Sequence, residues 1–369
     1  MTINHIDVNL PTGKSYPIFI QRDNLEAVGS LISNQITSKR FIIISHEHIF
    51  NMYGHTIVKQ LGHAKVDYFF VPEGESSKSI EILQGLLSQI LESKVERHDC
   101  IIALGGGVIG DLAGFVASIC LRGIQLVHVP TTLLAQVDSS IGGKTGMNHP
   151  SGKNLIGSFY QPQLIVMDPN VLVSLPKEEI RSGFAEVIKY GVICDPDLFM
   201  FLEQHSDDLR CYDMTQYHEK WNYIIQRSAQ NKVDVVAKDE KEANLRAILN
   251  FGHTIGHGLE AIFGNYDFKH GECVAFGMIA ATYIATQKHH IDSSQANRIY
   301  DLIEAYKFKM DIPTINLTSL HEKLSLDKKI SNGKIRFILP TKIGSVLQDN
   351  TVSTTLIDES ISFLADKMR

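Results

Sequence analysis

Asn250, His253 and His257 stand at helical spacing in the run NFGHTIGH (250–257), a set of side chains able to hold a metal, move a proton or bind a polar ligand. Laid on a helix at about 100° per residue, residues 242–263 separate into two sides. Leu245, Ile248, Leu249, Ile255, Leu259 and Ile262 make an apolar side, the expected core face. Glu242, Arg246, Asn250, His253 and His257 fall on the other, within an arc of about 80°. A solvated face would carry Lys, Glu and Gln. This stretch instead has glycines at 252, 256 and 258, each costing an exposed helix about 1 kcal/mol, so close packing is expected there. No Glu follows His253, which excludes the HExxH zinc motif. Further ligands are on offer: His270 in HGEC (270–273), and Glu186 in FAEVIKYG (184–191), with Lys189 three residues on along the same helix face. Two histidines and a carboxylate with open positions are what a catalytic zinc requires.

A second chemical signal lies earlier. CIIALGGGVIGD (100–111) reads as strand, glycines, helix, with Gly105, Gly107 and Gly110 in GxGxxG spacing. Such a turn lets the backbone approach a pyrophosphate at a helix N-terminus. It is not an ordinary dinucleotide fingerprint, because it does not follow the first strand and no acid lies about twenty residues on to hold a ribose. A glycine turn needed only for packing would read the same. PEGESSK (72–78) offers Glu75 to ribose hydroxyls and Lys78 to phosphate, or simply starts a helix with Ser77 or Ser79 as its cap. GGKT (142–145) is no phosphate loop, since the required first glycine would fall at Asp138.

These groups need a frame. A chain of 369 residues exceeds one ordinary core, and at about 150 residues per domain two are expected. With 44% apolar and 21% charged residues it can bury a large core. No apolar run approaches the roughly 18 residues of a membrane span, and the first thirty residues, broken by His5, Asp7, Pro11 and Lys14, lack a signal-peptide core. A cytoplasmic protein without a membrane partner is expected. Cysteines 100, 120, 194, 211 and 273 form no CxxC pair and are expected as reduced core thiols. A net charge of −6 without a basic block argues against nucleic acid, so an anionic ligand must be met by a local cationic cluster. Through about residue 168, β-rich runs (40–45, 65–71, 100–104, 125–129, 163–168) alternate with helical stretches such as 78–92 and 108–119. Thereafter helices are expected at 178–193, 213–236, 244–263, 271–289 and 293–306, with a short strand at KIRFILP. The expected fold is α/β: a Rossmann-like parallel-sheet domain over 1–170 and a mainly α-helical metal- and substrate-binding domain over 171–369.

The blocks GGGVIGDLAGFVAS, HVPTTLLAQVDSSIGGKTGMNHPSGKNLIGSFYQP, SGFAEVIKYG, LNFGHTIGHGLE, HGECVAFGM and GKIRFILPTKIG occur in the order found in the 3-dehydroquinate synthases, and the chain resembles that family over most of 100–345. The resemblance implies that Glu186, His253 and His270 bind zinc, with cobalt as a substitute, while His257 hydrogen-bonds and transfers protons. It implies a substrate site of Asp138, Lys144, Lys153, Asn154, Lys189, Lys232, Glu242, Arg246, Asn250 and Lys342, with Arg122 reaching a substrate phosphate across a homodimer interface. NAD would meet Glu75, Lys78, Gly106, Gly107, Asp111, Thr131 and Thr132, and also Asp138, Lys144 and Lys153. The implied reaction turns 3-deoxy-D-arabino-heptulosonate 7-phosphate into 3-dehydroquinate by transient oxidation, phosphate elimination, reduction, ring opening and aldol closure. The cationic side chains in this inventory are the local cluster that a carboxylate- and phosphate-bearing substrate demands.

Three departures stand out. His46 occupies the place after FIIIS where relatives often carry an acid for the adenosine ribose, Cys273 replaces an alanine beside His270, and Met147 replaces a valine. The rival readings are another sugar-phosphate cyclase, an NAD- and metal-dependent polyol dehydrogenase, and a catalytically dead sugar-phosphate-binding regulator. The first departs from DSSIGGKTG, the second would release NADH, and the third requires a missing ligand or base.

Overall fold

The computed structural model describes residues 5–263, 268–308, 312–326, 330–331 and 334–367; Gly333 of the GKIRFILPTKIG block lies outside them. By its internal contacts the chain divides into two compact units, one of Met1–Leu175 with Trp221–Lys241 and one of Pro176–Lys220 with Glu242–Arg369. A single boundary near 170 differs from this division in one element, the helix that begins near 218.

The first unit is built on a seven-stranded sheet of order β1-β2-β9-β6-β5-β3-β4: β1 (His5–Asn9), β2 (Ser15–Ile20), β3 (Arg40–Ser45), β4 (Lys65–Phe70), β5 (Cys100–Gly105), β6 (Gln125–Pro130) and β9 (Leu164–Met167). All pairings are parallel except β1 with β2, so the parallel sheet expected from the sequence carries an antiparallel edge hairpin. The central strands β3 and β5 are buried at every residue, which is why they read as unbroken apolar runs, whereas the edge strand β4 leaves Tyr68 and Phe70 exposed. Helices α1 (Asn24–Ser33), α2 (Glu47–Ile49), α3 (His55–Gln60), α4 (Ile80–Glu92) and α5 (Gly107–Ile119) connect them. Ile42, Ile44, Ile101 and Ala103 of the sheet share a core with Leu83 and Leu86 of α4 and Leu112 and Val116 of α5. Ser79 caps α4 by accepting from the Ile82 N–H at 3.3 Å. A separate hairpin, β7 (Lys144–His149) with β8 (Gly152–Phe159), is antiparallel, and its register shifts between Met147 and His149.

In the second unit α6 (Lys177–Ile193), α7 (Pro196–Gln204) and α8 (Ser206–Arg210) come first. The next helix, α9 (His218–Lys238), begins at His218 rather than at 213, and from Trp221 onward it is counted with the first unit. There Lys232 bonds Asp138, and beyond the helix Glu240 accepts from Gln161 and Thr12. The second unit continues with α10 (His253–Phe263), α11 (His270–Gln287), α12 (Ser293–Ala305), α13 (Leu317–Leu326) and α14 (Thr354–Lys367). KIRFILP contributes to two short hairpins, β10 (Ile330–Ser331) with β11 (Lys334–Ile335) and β12 (Phe337–Lys342) with β13 (Ser345–Asp349). Helix α11 is buried on nearly all sides and forms the axis of this unit.

The single helix expected over 244–263 is instead a 3₁₀ turn, Leu245–Asn250, followed by α10. Gly252 breaks it with φ +77°, a left-handed value that glycine adopts without strain. This break lets α10 sit directly on α11, and a Cβ added at Gly277 would lie 1.8 Å from the Gly252 carbonyl oxygen. The 80° arc is therefore not the arrangement of these residues, and Leu245, expected in the core, is 39% exposed. The thiols divide as well: Cys100, Cys120 and Cys273 are buried, whereas Cys194 is partly exposed and Cys211 is on the surface.

Candidate active site

Two constellations emerge, one in each unit. In the second unit the donor atoms of His253, His257 and His270 all lie within 4.8 Å of one another. His253 opens α10 and donates through Nδ1 to the Phe251 carbonyl at 3.0 Å, while His270 opens α11 and donates through Nδ1 to Glu260 Oε2 at 3.1 Å. With those protons on Nδ1, both Nε2 lone pairs are available. Both turn toward the same oxygen, Glu186 Oε1, at 3.4 Å from His253 and 3.9 Å from His270. Glu186 is 1% exposed on α6, where Lys189 pairs with its other oxygen. Two imidazoles with fixed tautomers facing a buried carboxylate are a donor set that fits zinc or another divalent metal. Burial lowers the His253 pKa, and Glu186 offsets that only in part. For His270 burial acts the same way, but Glu260 and then Glu186 overcome it and raise the pKa. His257 lies 5.3 Å from the His253 ring and 5.7 Å from the His270 ring, centroid to centroid, close enough to serve a ligand held there.

Ahead of α10, Asn250 donates to Glu242 Oε1 at 2.7 Å, and Glu242 is held at φ 59°. Arg246 is 1% exposed, so it belongs to the interior and not to a solvated stripe. Lys342 ends β12 at an exposed position.

In the first unit the glycine turn sits where β5 ends and α5 starts. A Cβ at Gly106 would meet Thr132 Cγ2 at 2.8 Å and one at Gly107 would meet Ser139 Oγ at 3.1 Å, so Gly106, Gly107 and Thr132 line one tight cradle. The neighbouring Thr131 N–H donates to the Gly105 carbonyl at 3.0 Å. Bare backbone there, at the start of a thirteen-residue helix, suits a pyrophosphate. Beside it Lys78, 3% exposed, reaches Asp111 at 2.8 Å, Glu75 at 3.3 Å and the Asn154 amide oxygen. Burial alone would lower the Lys78 pKa, but Asp111 and Glu75 outweigh it, so the ammonium stays charged. Asn154 takes φ 53° in β8 next to Lys153, and Lys144 is close enough to Asp111 to act on its charge. Asp138 accepts from Lys232 at 3.0 Å. Arg122 stands apart, exposed beyond α5 and about 18 Å along that helix from the glycine turn.

The sequence reading missed three participants: the Phe251 carbonyl and Glu260, which fix the two histidines, and Asn148, which joins Glu75 to Asn154. Only Glu260 left a signal, since it follows His253 and His257 on one helix face at i, i+4 and i+7.

The chain matches the 3-dehydroquinate synthase N-terminal family over residues 68–182 and the 3-dehydroquinate synthase C-terminal family over 183–330. It is 46% identical to a 3-dehydroquinate synthase of Microcystis aeruginosa over 359 residues, 97% of each chain. A 2-epi-5-epi-valiolone synthase from Streptomyces hygroscopicus, solved with NAD+ and Zn2+ bound, is similar with a TM-score of 0.87 at 25% identity, covering 96% of this chain and 98% of that one. A 2-deoxy-scyllo-inosose synthase complexed with carbaglucose-6-phosphate, NAD+ and Co2+ is similar with a TM-score of 0.86 at 27% identity, covering 98% and 99%.

Proposed function

This chain belongs to the 3-dehydroquinate synthase family, and we infer that the two constellations serve that family's reaction. The protein is an NAD- and divalent-metal-dependent lyase that converts 3-deoxy-D-arabino-heptulosonate 7-phosphate into 3-dehydroquinate and phosphate with no net oxidation. When bound, NAD supplies a transient hydride acceptor and the metal a Lewis acid at substrate oxygens. The observation that carries the site assignment is the convergence of His253 Nε2 and His270 Nε2 on Glu186, which supports these three as the metal ligands.

The remaining work belongs to the side chains. His253, His257 and His270 could together hold a metal by their spacing, but the Nε2 atoms of His253 and His270 meet Glu186, and on that reading His257 is assigned to move the proton of a substrate hydroxyl. Lys189, neutralising Glu186, is assigned to hold a substrate oxygen, and Glu242, Arg246 and Asn250 to orient the sugar acid. Asp138 with Lys232, and Lys144, Lys153, Asn154 and Lys342, complete the substrate set, their cations answering the carboxylate and phosphate. Gly106, Gly107, Thr131 and Thr132 are assigned to the NAD pyrophosphate, with Glu75, Lys78, Asp111, Asp138, Lys144 and Lys153 completing the NAD set. Relatives that make other carbocycles share the fold at 25–27% identity, against 46% for the 3-dehydroquinate synthase, which favours the latter reaction.

A homodimer in which Arg122 meets a partner's substrate phosphate is part of this reading, and Arg122 is exposed beyond α5, where a second copy has access to it. Light scattering should give twice the chain mass, and a monomer retaining full activity would overturn the role. No helix among the described residues is long and apolar enough to cross a membrane, and the free thiols suit the cytoplasm. Cell fractionation tests that location. For the reaction, purified protein with the heptulosonate phosphate, catalytic NAD and Zn2+ should release stoichiometric phosphate without accumulating NADH, and chelation should abolish it. Accumulating NADH, or no phosphate, would overturn the assignment in favour of a dehydrogenase or another cyclase.

A further inference from the structure

Asn148 has no assigned part in the reaction, yet it holds together the two halves of the first constellation. It lies where the β7–β8 register shifts by two residues, between the pairs Met147–Ile156 and His149–Gly152, so that Asn148 alone faces residues 153–155 of β8. An irregularity of this kind interrupts the ladder at Asn148 and frees its side chain to be re-aimed. The Asn148 N–H accordingly leaves the hairpin and donates to the Lys78 carbonyl at 2.8 Å. Its side chain then works in two directions. Nδ2 donates to Glu75 Oε1 at 2.8 Å, and Oδ1 accepts from the Asn154 N–H at 2.9 Å. Asn154 sits at φ 53°, a left-handed conformation that asparagine adopts more readily than most side-chain-bearing residues, and this bond ties its backbone there. From there its amide oxygen meets the Lys78 ammonium, which closes a ring of contacts through Glu75, Lys78, Asn154 and Asn148.

We propose that Asn148 is a positioning residue that sets Glu75 for NAD and Asn154 for the sugar-acid phosphate at once, through the two ends of one amide. This rests on the roles given above to Glu75 and Asn154. An amide is the group that fits: one end must donate to a carboxylate and the other must accept from a backbone N–H, and no other side chain of this size does both. Aspartate keeps the acceptor but turns a carboxylate oxygen toward Glu75. Alanine removes both ends.

The test measures NAD affinity by calorimetry on metal-loaded, substrate-free protein, and separately the KM and kcat for the heptulosonate phosphate at saturating NAD. Asn148→Ala should weaken NAD about tenfold and raise KM severalfold, as expected for lost bonds to a charged and a neutral partner. Asn148→Asp should weaken NAD at least as much while leaving KM within about twofold of the parent. A purely structural hairpin role would instead move both quantities together with the unfolding midpoint. Asn148→Asp restoring both quantities, or neither, would overturn the proposal, as would Asn148→Ala leaving both within twofold. Glu75→Gln and Asn154→Gly separate the proposal from its premise. If they shift NAD affinity and KM while Asn148→Ala does not, the role of Asn148 is wrong and the assignments stand. If they shift neither, the assignments fail and the proposal falls with them.

Discussion

Glu260→Gln isolates the contribution of one hydrogen bond to the proposed metal site. The Glu260 carboxylate accepts from His270 Nδ1 at 3.1 Å, its side chain is 16% exposed, and its charge raises the basicity of the imidazole whose other nitrogen faces Glu186. Glutamine preserves the volume and an accepting oxygen but removes the charge. The difference between a charged and a neutral acceptor in such a setting is about 1–2 kcal/mol, and carboxylate partners of metal-bound histidines affect metal affinity by about 10- to 100-fold. Zinc affinity should therefore fall at least about tenfold, or roughly 1.4 kcal/mol. The assay is competition for Zn2+ against a chromophoric chelator with the apo protein, with chemical denaturation of the same apo protein as control. An unchanged apo stability with a tenfold weaker zinc complex is the expected result. Zinc affinity within twofold of the parent would refute the reasoning, since it would mean that the Nδ1 proton is oriented without the carboxylate or that His270 is not a ligand.

Gly277→Ala should destabilise the second unit by about 3 kcal/mol or more, because the new Cβ would fall 1.8 Å from the Gly252 carbonyl oxygen with backbone on both sides; urea unfolding measures the loss. His128, buried in β6, has its pKa pushed down by burial to about 4. The unfolded chain binds that proton near pH 6.5 and the folded chain only near 4, so the stability it contributes is present above pH 6.5 and is lost as pH falls from 6.5 to 4. The span corresponds to about 3 kcal/mol, and His128→Leu should flatten the stability profile there by a comparable amount. Asp349 is the opposite case: burial works to raise its pKa, but Lys288 at 2.8 Å, Thr351 and His290 at 3.2 Å hold it well below the usual carboxylate range. Its contribution is present above the unfolded carboxylate pKa near 4 and is lost as pH falls below it, so Asp349→Asn should destabilise at pH 7 and converge with the parent in acid.

Types of residue and short-range period were enough to read much of this structure. The strands β3, β5 and β9 were legible because burial on both faces leaves an apolar run, β6 because only His128 interrupts one, and the donors of the second constellation because histidine and glutamate are conspicuous on apolar helices. The edge hairpin β1–β2 and the β7–β8 hairpin were not, since their exposed faces dilute the apolar signal. The break at Gly252 escaped for a different reason. Letters on either side of it keep a helical period, and what ends the helix is the need for α10 to lie against Gly277 of α11, a contact set by tertiary packing.

Roles within the site follow the same division. His253, His257 and Glu260 share one face at i, i+4 and i+7, and the period finds that face without distinguishing its members. The distinction comes from what lies opposite. His253 faces Glu186 of α6, and Glu260 faces the far nitrogen of His270 on α11. His257 shares the cluster, its donor atom within 4.8 Å of theirs, and proton transfer is the role proposed for it. A helix read alone puts both of its histidines on one metal; the three helices also bring His253 and His270 to the Glu186 carboxylate, and that set is the one proposed to hold it.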